Sequence, residues 1–237
     1  MKVQRLDFTG RIAIVTGGSQ GIGAAIANGL TAGGAEVHVF DRAGKAGPGQ
    51  VFHPVDVCES GAVAEAVASL GQPASLLVNN AGITRDRSLL KMSDDEWQQV
   101  LQVNLTGAFN LIRAVAPAMT TLGYGRIVNI VSINGMRGKF GQANYAASKG
   151  GLIALTKTAA REFGPKGVTV NAVAPGMVLT EMARQLPEEF RAKAVEESAL
   201  KQLPEADDIA AATLFLLSDL ARMVTGHVLK VDSGQYI

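Results

Sequence analysis

The sequence predicts an α/β protein in which a single doubly wound parallel sheet is covered by helices on both faces. Short runs rich in Val and Ile alternate with longer stretches rich in Ala and Leu along the 237 residues. Such alternation is typical of a parallel sheet with crossover helices. A glycine-rich turn follows the first apolar run, and neither a polar linker nor an internal repeat divides the chain. We therefore expect residues 1–237 to fold as one domain.

Seven β-branched runs are predicted to form the strands. They span 11–18, 36–42, 51–57, 75–82, 125–133, 168–176 and 227–234. Five Ala- and Leu-rich stretches are predicted to form the main helices. They span 22–34, 60–71, 93–119, 144–164 and 206–219. Pro54 indicates that the third strand is irregular or lies near an edge, and Ser93 followed by acids is typical of a helix start.

The connection between the second and third strands is unusually short. It reads "DRAGKAGPGQ" from Asp41 to Gln50, with three glycines and a proline. These residues make a helix unfavourable there, whereas a parallel crossover usually needs a dozen or more residues. We therefore expect one crossover helix to be missing after the second strand.

Composition excludes several classes of function. The net charge is +1 and there is no long basic run, so we expect no nucleic-acid partner. No stretch approaches the roughly 18 apolar residues of a membrane span, and the start of the chain lacks an apolar signal core. The single cysteine permits no intrachain disulfide and fits a reducing compartment. We expect a cytoplasmic protein without a membrane partner and, because the three histidines are far apart, without a metal site.

A phosphate-binding loop is predicted between the first strand and the first helix. It reads "TGGSQGIG" from Thr16 to Gly23, and the important glycines are Gly17, Gly21 and Gly23. Glycine permits positive φ and lets backbone N–H groups approach a pyrophosphate, while the helix N-terminus attracts the anion. The alternative is a plain strand-to-helix turn. The loop, in this context, predicts a Rossmann-type, dinucleotide-binding domain.

Asp41 at the end of the second strand indicates which nicotinamide coenzyme is used. A carboxylate there can accept hydrogen bonds from the adenosine ribose hydroxyls and repels a 2′-phosphate. Gln20 gives the loop no basic partner for such a phosphate, and Arg42 could stack on the adenine or, less favourably, meet a phosphate. The sequence favours NAD(H), with NADP(H) as the second choice. The alternative for Asp41 is an exposed turn carboxylate.

Tyr145 and Lys149 are spaced to lie on one face of a helix, one turn apart. Hydride transfer to a carbonyl needs a proton donor aimed at the oxygen that gains charge. A neighbouring ammonium favours the phenolate and so lowers the pKa of a tyrosine. We predict that Tyr145 is the general acid of reduction and the general base of oxidation. The alternative is a packed aromatic residue beside a snorkelling lysine.

The order of motifs resembles that of the short-chain dehydrogenase/reductases over essentially the whole chain. The matching stretches are "TGGSQGIG", "NNAG" (79–82), "VNLTG" with Asn104, Ser132, "YAASK" and "APG" (174–176). The stretch 125–157 most resembles the 3-oxoacyl thioester reductases that act on acyl-carrier-protein or CoA substrates. The resemblance implies four catalytic residues, which are Asn104, Ser132, Tyr145 and Lys149. Ser132 would hold the substrate oxygen, Lys149 the nicotinamide ribose, and Asn104 a water that links Lys149 to solvent. The structural alternatives are a strand-end cap for Ser132 and, for Asn104, an interior Asn that caps a helix distortion.

The resemblance also implies the remaining site residues. Some of them extend the predicted coenzyme site beyond the glycine loop, Asp41 and Arg42. The coenzyme set is Gly17, Ser19, Gln20, Gly21, Ile22, Gly23, Asp41, Arg42, Asp56, Val57, Asn79, Ala81, Gly82, Tyr145, Lys149, Pro175, Gly176, Val178 and Thr180. Asn79 has a structural alternative, which is to tie neighbouring strands. The substrate set, chosen by position, is Ser132, Asn134, Arg137, Gln142, Tyr145 and Met177. Residues 177–204 are predicted as a substrate lid, with an ordinary surface helix pair as the alternative.

The predicted function is NAD(H)-dependent interconversion of a ketone and a secondary alcohol, with a 3-oxoacyl/3-hydroxyacyl thioester as first choice. The stretch "MTTLGY" before the fifth strand is uncharged, so it offers no basic docking patch for an acidic carrier protein. A second enzyme hypothesis is an NAD-dependent dehydrogenase of an alicyclic, aryl or sugar alcohol. A third is a non-catalytic NAD sensor, which would need only the phosphate loop. Wide apolar arcs on the helices 93–119 and 144–164, together with the resemblance, predict a homotetramer.

Overall fold

Seven parallel strands form the centre of the protein. The structure is a computed structural model that describes residues 6–185 and 187–237. The strands are β1 Ile12–Thr16, β2 Glu36–Asp41, β3 Gln50–Pro54, β4 Leu76–Asn79, β5 Gly125–Ile130, β6 Val168–Pro175 and β7 Val228–Val231. Their order is β3-β2-β1-β4-β5-β6-β7, and every neighbouring pair is parallel. The sequence therefore predicted all seven strands. β3 lies at the sheet edge, as Pro54 indicated.

Nine helices flank the sheet in the described part of the chain. They are α1 Gly21–Ala32, α2 Ser60–Ala68, α3 Asp94–Leu101, α4 Gly107–Leu122, α5 Asn134–Arg137, α6 Ala143–Phe163, α7 Glu181–Arg184, α8 Glu188–Glu197 and α9 Ala206–Leu217. A π-helical turn, Gln102–Thr106, joins α3 to α4, so the long helix predicted over 93–119 is distorted near its middle. A capping box between Ser93 and Glu96 begins α3.

Two apolar layers hold the helices on the sheet. On one face, α1 and α9 cover a core that includes Val15, Val39 and Leu216. On the other face, α2, α4 and α6 cover a core that includes Ile14 and Leu111. The connection from β2 to β3 contains no helix, which confirms the missing crossover. Within the described residues, no helix is both long and apolar enough to cross a membrane.

The chain order of the strands reverses direction between β1 and β4. At such a switch point, the loops after the two strands diverge to opposite faces and leave a crevice at the carboxyl end of the sheet. The glycine loop follows β1, and "NNAG" follows β4. The fold therefore places these two motifs on opposite sides of one crevice.

Candidate active site

The glycine loop has the geometry of a phosphate cradle. Gly17 and Gly21 adopt positive φ of 63° and 54°, a conformation that favours glycine. A Cβ on Gly23 would lie 2.2 Å from the carbonyl oxygen of Gly17, so only glycine allows the loop to close on α1. Asn80 fixes the loop from the opposite strand, because its Nδ2 donates to the carbonyl oxygens of Thr16 and Gly17 at 3.0 Å. These features fit the pyrophosphate of a dinucleotide.

A cleft of about 640 Å³ runs along the carboxyl end of the sheet from the glycine loop to Tyr145. It brings together most of the predicted coenzyme residues. Those that line it are Gly17, Gln20, Gly21, Ile22, Asp41, Arg42, Asp56, Val57, Ala81, Gly82, Tyr145, Lys149, Pro175, Gly176, Val178 and Thr180. A separate cavity of about 980 Å³ lies between α8 and the end of β7, and none of the predicted site residues lines it.

Three predicted coenzyme residues do not line the cleft. Gly23 serves close packing within the loop instead. The buried Asn79 donates from its Nδ2 to Oδ1 of Asn129 at 2.8 Å, which joins β4 to β5 as its structural alternative anticipated. Ser19 contributes its backbone N–H, which donates to the carboxylate of Asp41 at 3.3 Å, while its buried hydroxyl faces the loop at Gly44.

Asp41 is held in a fixed position at the end of the cleft. One carboxylate oxygen accepts from the N–H of Ser19 and the other from the N–H of Arg42, at 3.3 and 2.9 Å. The guanidinium of Arg42 lies 3.9 Å from the carboxylate of Asp56, across the predicted adenine position. Gly44 packs directly on Ser19, where a Cβ would approach within 2.8 Å. The shortened β2–β3 connection thus packs on the glycine loop at Ser19.

Ser132 and Tyr145 meet at the other end of the cleft. Ser132 follows β5, Tyr145 lies in the first turn of α6, and the hydroxyl of Ser132 is close enough to the phenol to act on its pKa. Burial is the main cause that raises the pKa of Tyr145, the nearby hydroxyl of Ser132 lowers it, and the charge of Asp86 raises it further. The phenol therefore keeps its proton at neutral pH. Lys149 is not among the groups that shift the pKa of Tyr145 here. A lower pKa of Tyr145 caused by Lys149 therefore stays a prediction for the coenzyme-bound protein.

Lys149 is a buried cation beside the phenol. Its Nζ lies 5.6 Å from the centre of the Tyr145 ring and donates to the carbonyl oxygen of Ile130 at 2.8 Å. Among the described residues, no carboxylate forms an ion pair with it. Burial lowers the pKa of Lys149 from 10.5 to about 8. The amine thus has donors left for a ligand in the cleft.

Asn104 occupies the π-helical turn and is 1% exposed. Its Oδ1 accepts from the N–H of Ile83 at 2.8 Å, and its Nδ2 donates to the carbonyl oxygen of Ile83 at 3.0 Å and to the hydroxyl of Ser148 at 3.1 Å. π-helical turns occur frequently at functional sites. The distortion lets one side chain join the loop after β4 to the helix that carries Tyr145 and Lys149.

Four predicted substrate residues do not line the cleft. They are Asn134, Arg137, Gln142 and Met177. The first two belong to residues 132–137, the segment after β5 that begins with Ser132 and that we call the catalytic loop. Gln142 is buried, and its side-chain amide links Asn134 to Asp86 through hydrogen bonds of 3.0 and 2.9 Å. The backbone N–H of Met177 donates to the side chain of Gln235. Only Ser132 and Tyr145 of the predicted substrate set line the cleft.

Several residues that line or support the site were not predicted. Ile83, Thr84, Arg85, Val103 and Glu181 line the cleft, and Asp86 is close enough to Tyr145 to raise its pKa. Asn80 could have been found, because it belongs to the quoted "NNAG" motif. Val103 likewise begins the quoted "VNLTG" motif. The others belong to no quoted motif, and the fold alone brings them to the cleft.

Comparisons with known proteins agree with this geometry. A family model described as "Enoyl-(Acyl carrier protein) reductase" matches residues 17–235. The chain is 42% identical to the 3-oxoacyl-[acyl-carrier-protein] reductase of Salmonella typhimurium, over 98% of this chain and 100% of that protein. It is 44% identical to the acetoacetyl-CoA reductase of Shinella zoogloeoides, over 95% and 98%. The crystal structure of a 3-oxoacyl-[acyl-carrier protein] reductase from Brucella melitensis superposes with a TM-score of 0.92 at 32% identity, over 98% and 94% of the two chains.

Proposed function

Because the chain belongs to the short-chain dehydrogenase/reductase family and is an oxidoreductase, we propose that it interconverts 3-oxoacyl and 3-hydroxyacyl thioesters with NAD(H). One observation carries the proposal: the hydroxyls of Ser132 and Tyr145 and the buried amine of Lys149 lie together in the cleft that the glycine loop begins. A sensor would need the loop but not these three side chains. The names of the relatives support the thioester.

The two hydroxyls suit a carbonyl oxygen that gains negative charge. A nicotinamide coenzyme, when bound, supplies or accepts the hydride. Ser132 donates a hydrogen bond to the oxygen, and Tyr145 donates a hydrogen bond and then its proton. Because Tyr145 is protonated at neutral pH, the free protein is prepared for reduction. The charge of Lys149 then stabilises the phenolate that the proton transfer leaves.

Asp41 supports NAD(H) over NADP(H). Its carboxylate is held by two backbone N–H groups at the end of the cleft, where it can accept from ribose hydroxyls and repel a 2′-phosphate. The guanidinium of Arg42 faces Asp56. We expect kcat/KM with NADH to exceed that with NADPH, and Asp41→Ala to reduce the ratio at least tenfold. A wild-type preference for NADPH would refute this role of Asp41.

The charge distribution favours a CoA thioester over a carrier-protein thioester. The stretch before β5 is uncharged, and Arg137, one of the few basic residues near the site, is bound to Glu197 and Gln235. Lys139 and Arg85, which lines the cleft, are the remaining candidates for CoA phosphates, because Lys166 lies before β6 at the opposite end of the sheet. Docking an acidic carrier needs a basic patch, and these residues offer little of one.

Steady-state kinetics with four substrate classes tests the proposal. With NADH we expect turnover of acetoacetyl-CoA, weaker turnover of the carrier-protein thioester, and none of crotonyl-CoA, whose double bond lacks a carbonyl oxygen at the position of reduction. A panel of cyclic, aryl and sugar alcohols with NAD⁺ tests the second enzyme hypothesis. Preference for a member of that panel, or for crotonyl-CoA, would overturn the thioester assignment.

We also propose a homotetramer. The apolar arc of α4 is wider than one buried face requires. Part of it is therefore exposed in the single chain, where Phe109 on α4 is 42% exposed. A second copy of the chain would cover such a surface. Light scattering at micromolar concentration should give four times the mass of the chain, and a monomer would contradict the proposal.

A further inference from the structure

A network of polar side chains joins the catalytic loop to the predicted lid outside the coenzyme cleft. The guanidinium of Arg137 at the end of α5 makes three contacts. Its Nε donates to Oδ1 of Asn134 at 3.2 Å, its Nη1 to the carbonyl oxygen of Gln235 at 3.3 Å, and its Nη2 to Oε2 of Glu197 at 3.5 Å. Glu197 is the last residue of α8, in the lid, so Arg137 connects three separate parts of the chain.

Gln235 connects the same carboxylate to the segment after β6. Its Nε2 donates to Oε2 of Glu197 at 3.0 Å, and its Oε1 accepts from the backbone N–H of Met177 at 3.1 Å. Gly176 leaves the room for this, because a Cβ there would lie 2.7 Å from Oε1 of Gln235. Since Gly176 lines the cleft, the network reaches the beginning of the lid as well as its second helix.

The other end of the network reaches Ser132. The backbone N–H of Asn134 donates to Oγ of Ser132 at 3.1 Å. The side chain of Asn134 binds Arg137 through Oδ1 and Gln142 through Nδ2. Gln142 in turn donates to Asp86, which acts on the pKa of Tyr145. Asn134 therefore has one contact on the catalytic hydroxyl and two that fix its own orientation.

We propose that Arg137 and Glu197, joined through Gln235, form a latch that holds lid helix α8 on the catalytic loop and positions Ser132 through Asn134. The side chains of Arg137 and Glu197 are 25% and 37% exposed, compared with 55% and 65% for the ion pair of Arg184 and Glu205, so their attraction is less screened than in that pair. The latch residues are positioning residues, because they touch Ser132 only through Asn134. The proposal rests on the proposed reaction for its kinetic test.

The ionisation of Glu197 suits a latch that stays closed at neutral pH. The hydrogen bond from Gln235, followed by the charge of Arg137, lowers the pKa of Glu197 below its usual value. Opening then depends on movement of α8 when substrate enters or product leaves, and closing brings the orientation of Ser132 back with the lid.

A double-mutant cycle tests the coupling. We expect Arg137→Met and Glu197→Gln each to lower kcat for acetoacetyl-CoA about tenfold, and the double variant to be no worse than either single one. The dissociation constant of NADH, measured by fluorescence, should stay within twofold, because the latch does not line the cleft. Additive losses in the double variant, or unchanged kcat, would refute the latch.

A matched pair in the same part of the chain serves as control. Arg184 and Glu205 form an ion pair at 3.8 Å without a contact to the catalytic loop among the described residues. The cycle of Arg184→Met and Glu205→Gln should therefore be additive. Coupling of equal size in this pair would show that any ion pair made by a lid residue gives the effect, and would also refute the latch.

Hydrogen–deuterium exchange separates failure of the latch from failure of the proposed reaction, because it needs no substrate. In Arg137→Met, amides of α8 and of residues 132–137 should exchange at least tenfold faster, while those of β4 should not change. If acetoacetyl-CoA is not reduced but this exchange rises, the proposed reaction is wrong and the latch stands. If exchange is unchanged, the latch is refuted whatever the substrate.

Discussion

Among the described residues, each end of the sheet buries one cation, and the two cations have different partners. At the amino end, Arg126 is the second residue of β5 and its side chain is 6% exposed. Its Nη2 donates to Asp219 at 3.1 Å, its Nη1 to the carbonyl oxygens of Gly125 and Gly167, and its guanidinium stacks 4.2 Å from the ring centre of Tyr124. At the carboxyl end, the hydrogen bonds of the described residues give Lys149 a single acceptor, the carbonyl oxygen of Ile130.

This difference separates stability from function. The amino-end cation has a carboxylate, two carbonyl oxygens and an aromatic face, which compensate for its lost hydration. The carboxyl-end cation lacks such partners, so burial lowers the pKa of Lys149 to about 8. The sheet therefore leaves Lys149 with one acceptor, where a ligand can add more. At the other end, it gives Arg126 three acceptors and an aromatic face, although Nε of Arg126 has no partner.

The largest expected effect is catalytic and belongs to the carboxyl end. Tyr145→Phe removes the proton donor and should lower kcat for acetoacetyl-CoA reduction by about 10³-fold. The free energy of unfolding should change by less than about 1 kcal/mol, because the ring and its packing remain. Steady-state kinetics and urea unfolding measure the two effects. Unchanged turnover would remove Tyr145 from the mechanism.

The second effect is the stability that Lys149 costs. Its pKa is about 8 in the folded protein and 10.5 when exposed, so the unfolded state binds more protons between these pH values. Stability must then rise with pH in that range, by about 3 kcal/mol in total. Lys149→Met removes this dependence and should be more stable than the wild type at pH 7.

The measurement is the difference in unfolding free energy between wild type and Lys149→Met at several pH values. Taking the difference cancels the titration of groups that the two proteins share. The difference should shrink as the pH rises from 8 towards 10.5. If the difference does not vary with pH, the folded protein compensates the charge of Lys149 as fully as it compensates that of Arg126.

The third effect belongs to the amino end and should leave catalysis alone. Arg126→Met leaves the carbonyl oxygens of Gly125 and Gly167 without their donor and should destabilise the fold by about 2 kcal/mol. The estimate is modest because Asp219 is 63% exposed and stays hydrated. Values of kcat and KM per folded molecule should match the wild type. A loss of turnover at temperatures where the variant is folded would break the distinction between the two ends.

Local patterns in the sequence predicted much of the fold and part of the site. Strands and helices follow from apolar periodicity, and the glycine loop and the pair Tyr145 and Lys149 follow from short spacings. The π-helical turn is a distortion at the position that the structural alternative for Asn104 indicated, but its π-helical geometry was not predicted. Asn104 is unfavourable inside a helix, but here Ile83, distant in sequence, satisfies its side chain.

Contacts between distant segments explain what the sequence did not reveal. Arg126 binds Asp219, which is 93 residues away in sequence, and Arg137 binds Glu197, which is 60 residues away. No spacing rule connects such positions, so Arg137 was predicted as a substrate residue on proximity to Ser132 alone. The fold shows that its guanidinium binds within the protein and faces the lid instead of the cleft.

The smallest effect tests whether backbone strain also gathers at the carboxyl end. Among the described residues, only Lys201 and Ser233 adopt positive φ without being glycine, at 54° and 55°. They lie next to each other, because the N–H of Leu200 donates to the carbonyl oxygen of Ser233 at 3.1 Å.

A left-handed conformation costs a non-glycine residue about 1 to 2 kcal/mol, while glycine costs about 0.5 to 1 kcal/mol of additional unfolded-state entropy. Ser233→Gly should therefore stabilise the protein by about 0.5 kcal/mol, measured by urea unfolding. Ser233→Ala cannot relieve the strain and should not stabilise. Since Ser233 precedes the segment that carries Gln235, relief of strain there should leave kcat within twofold if the latch is set by its hydrogen bonds. If Ser233→Gly instead lowers kcat as Arg137→Met does, strain at this position helps to hold the latch closed.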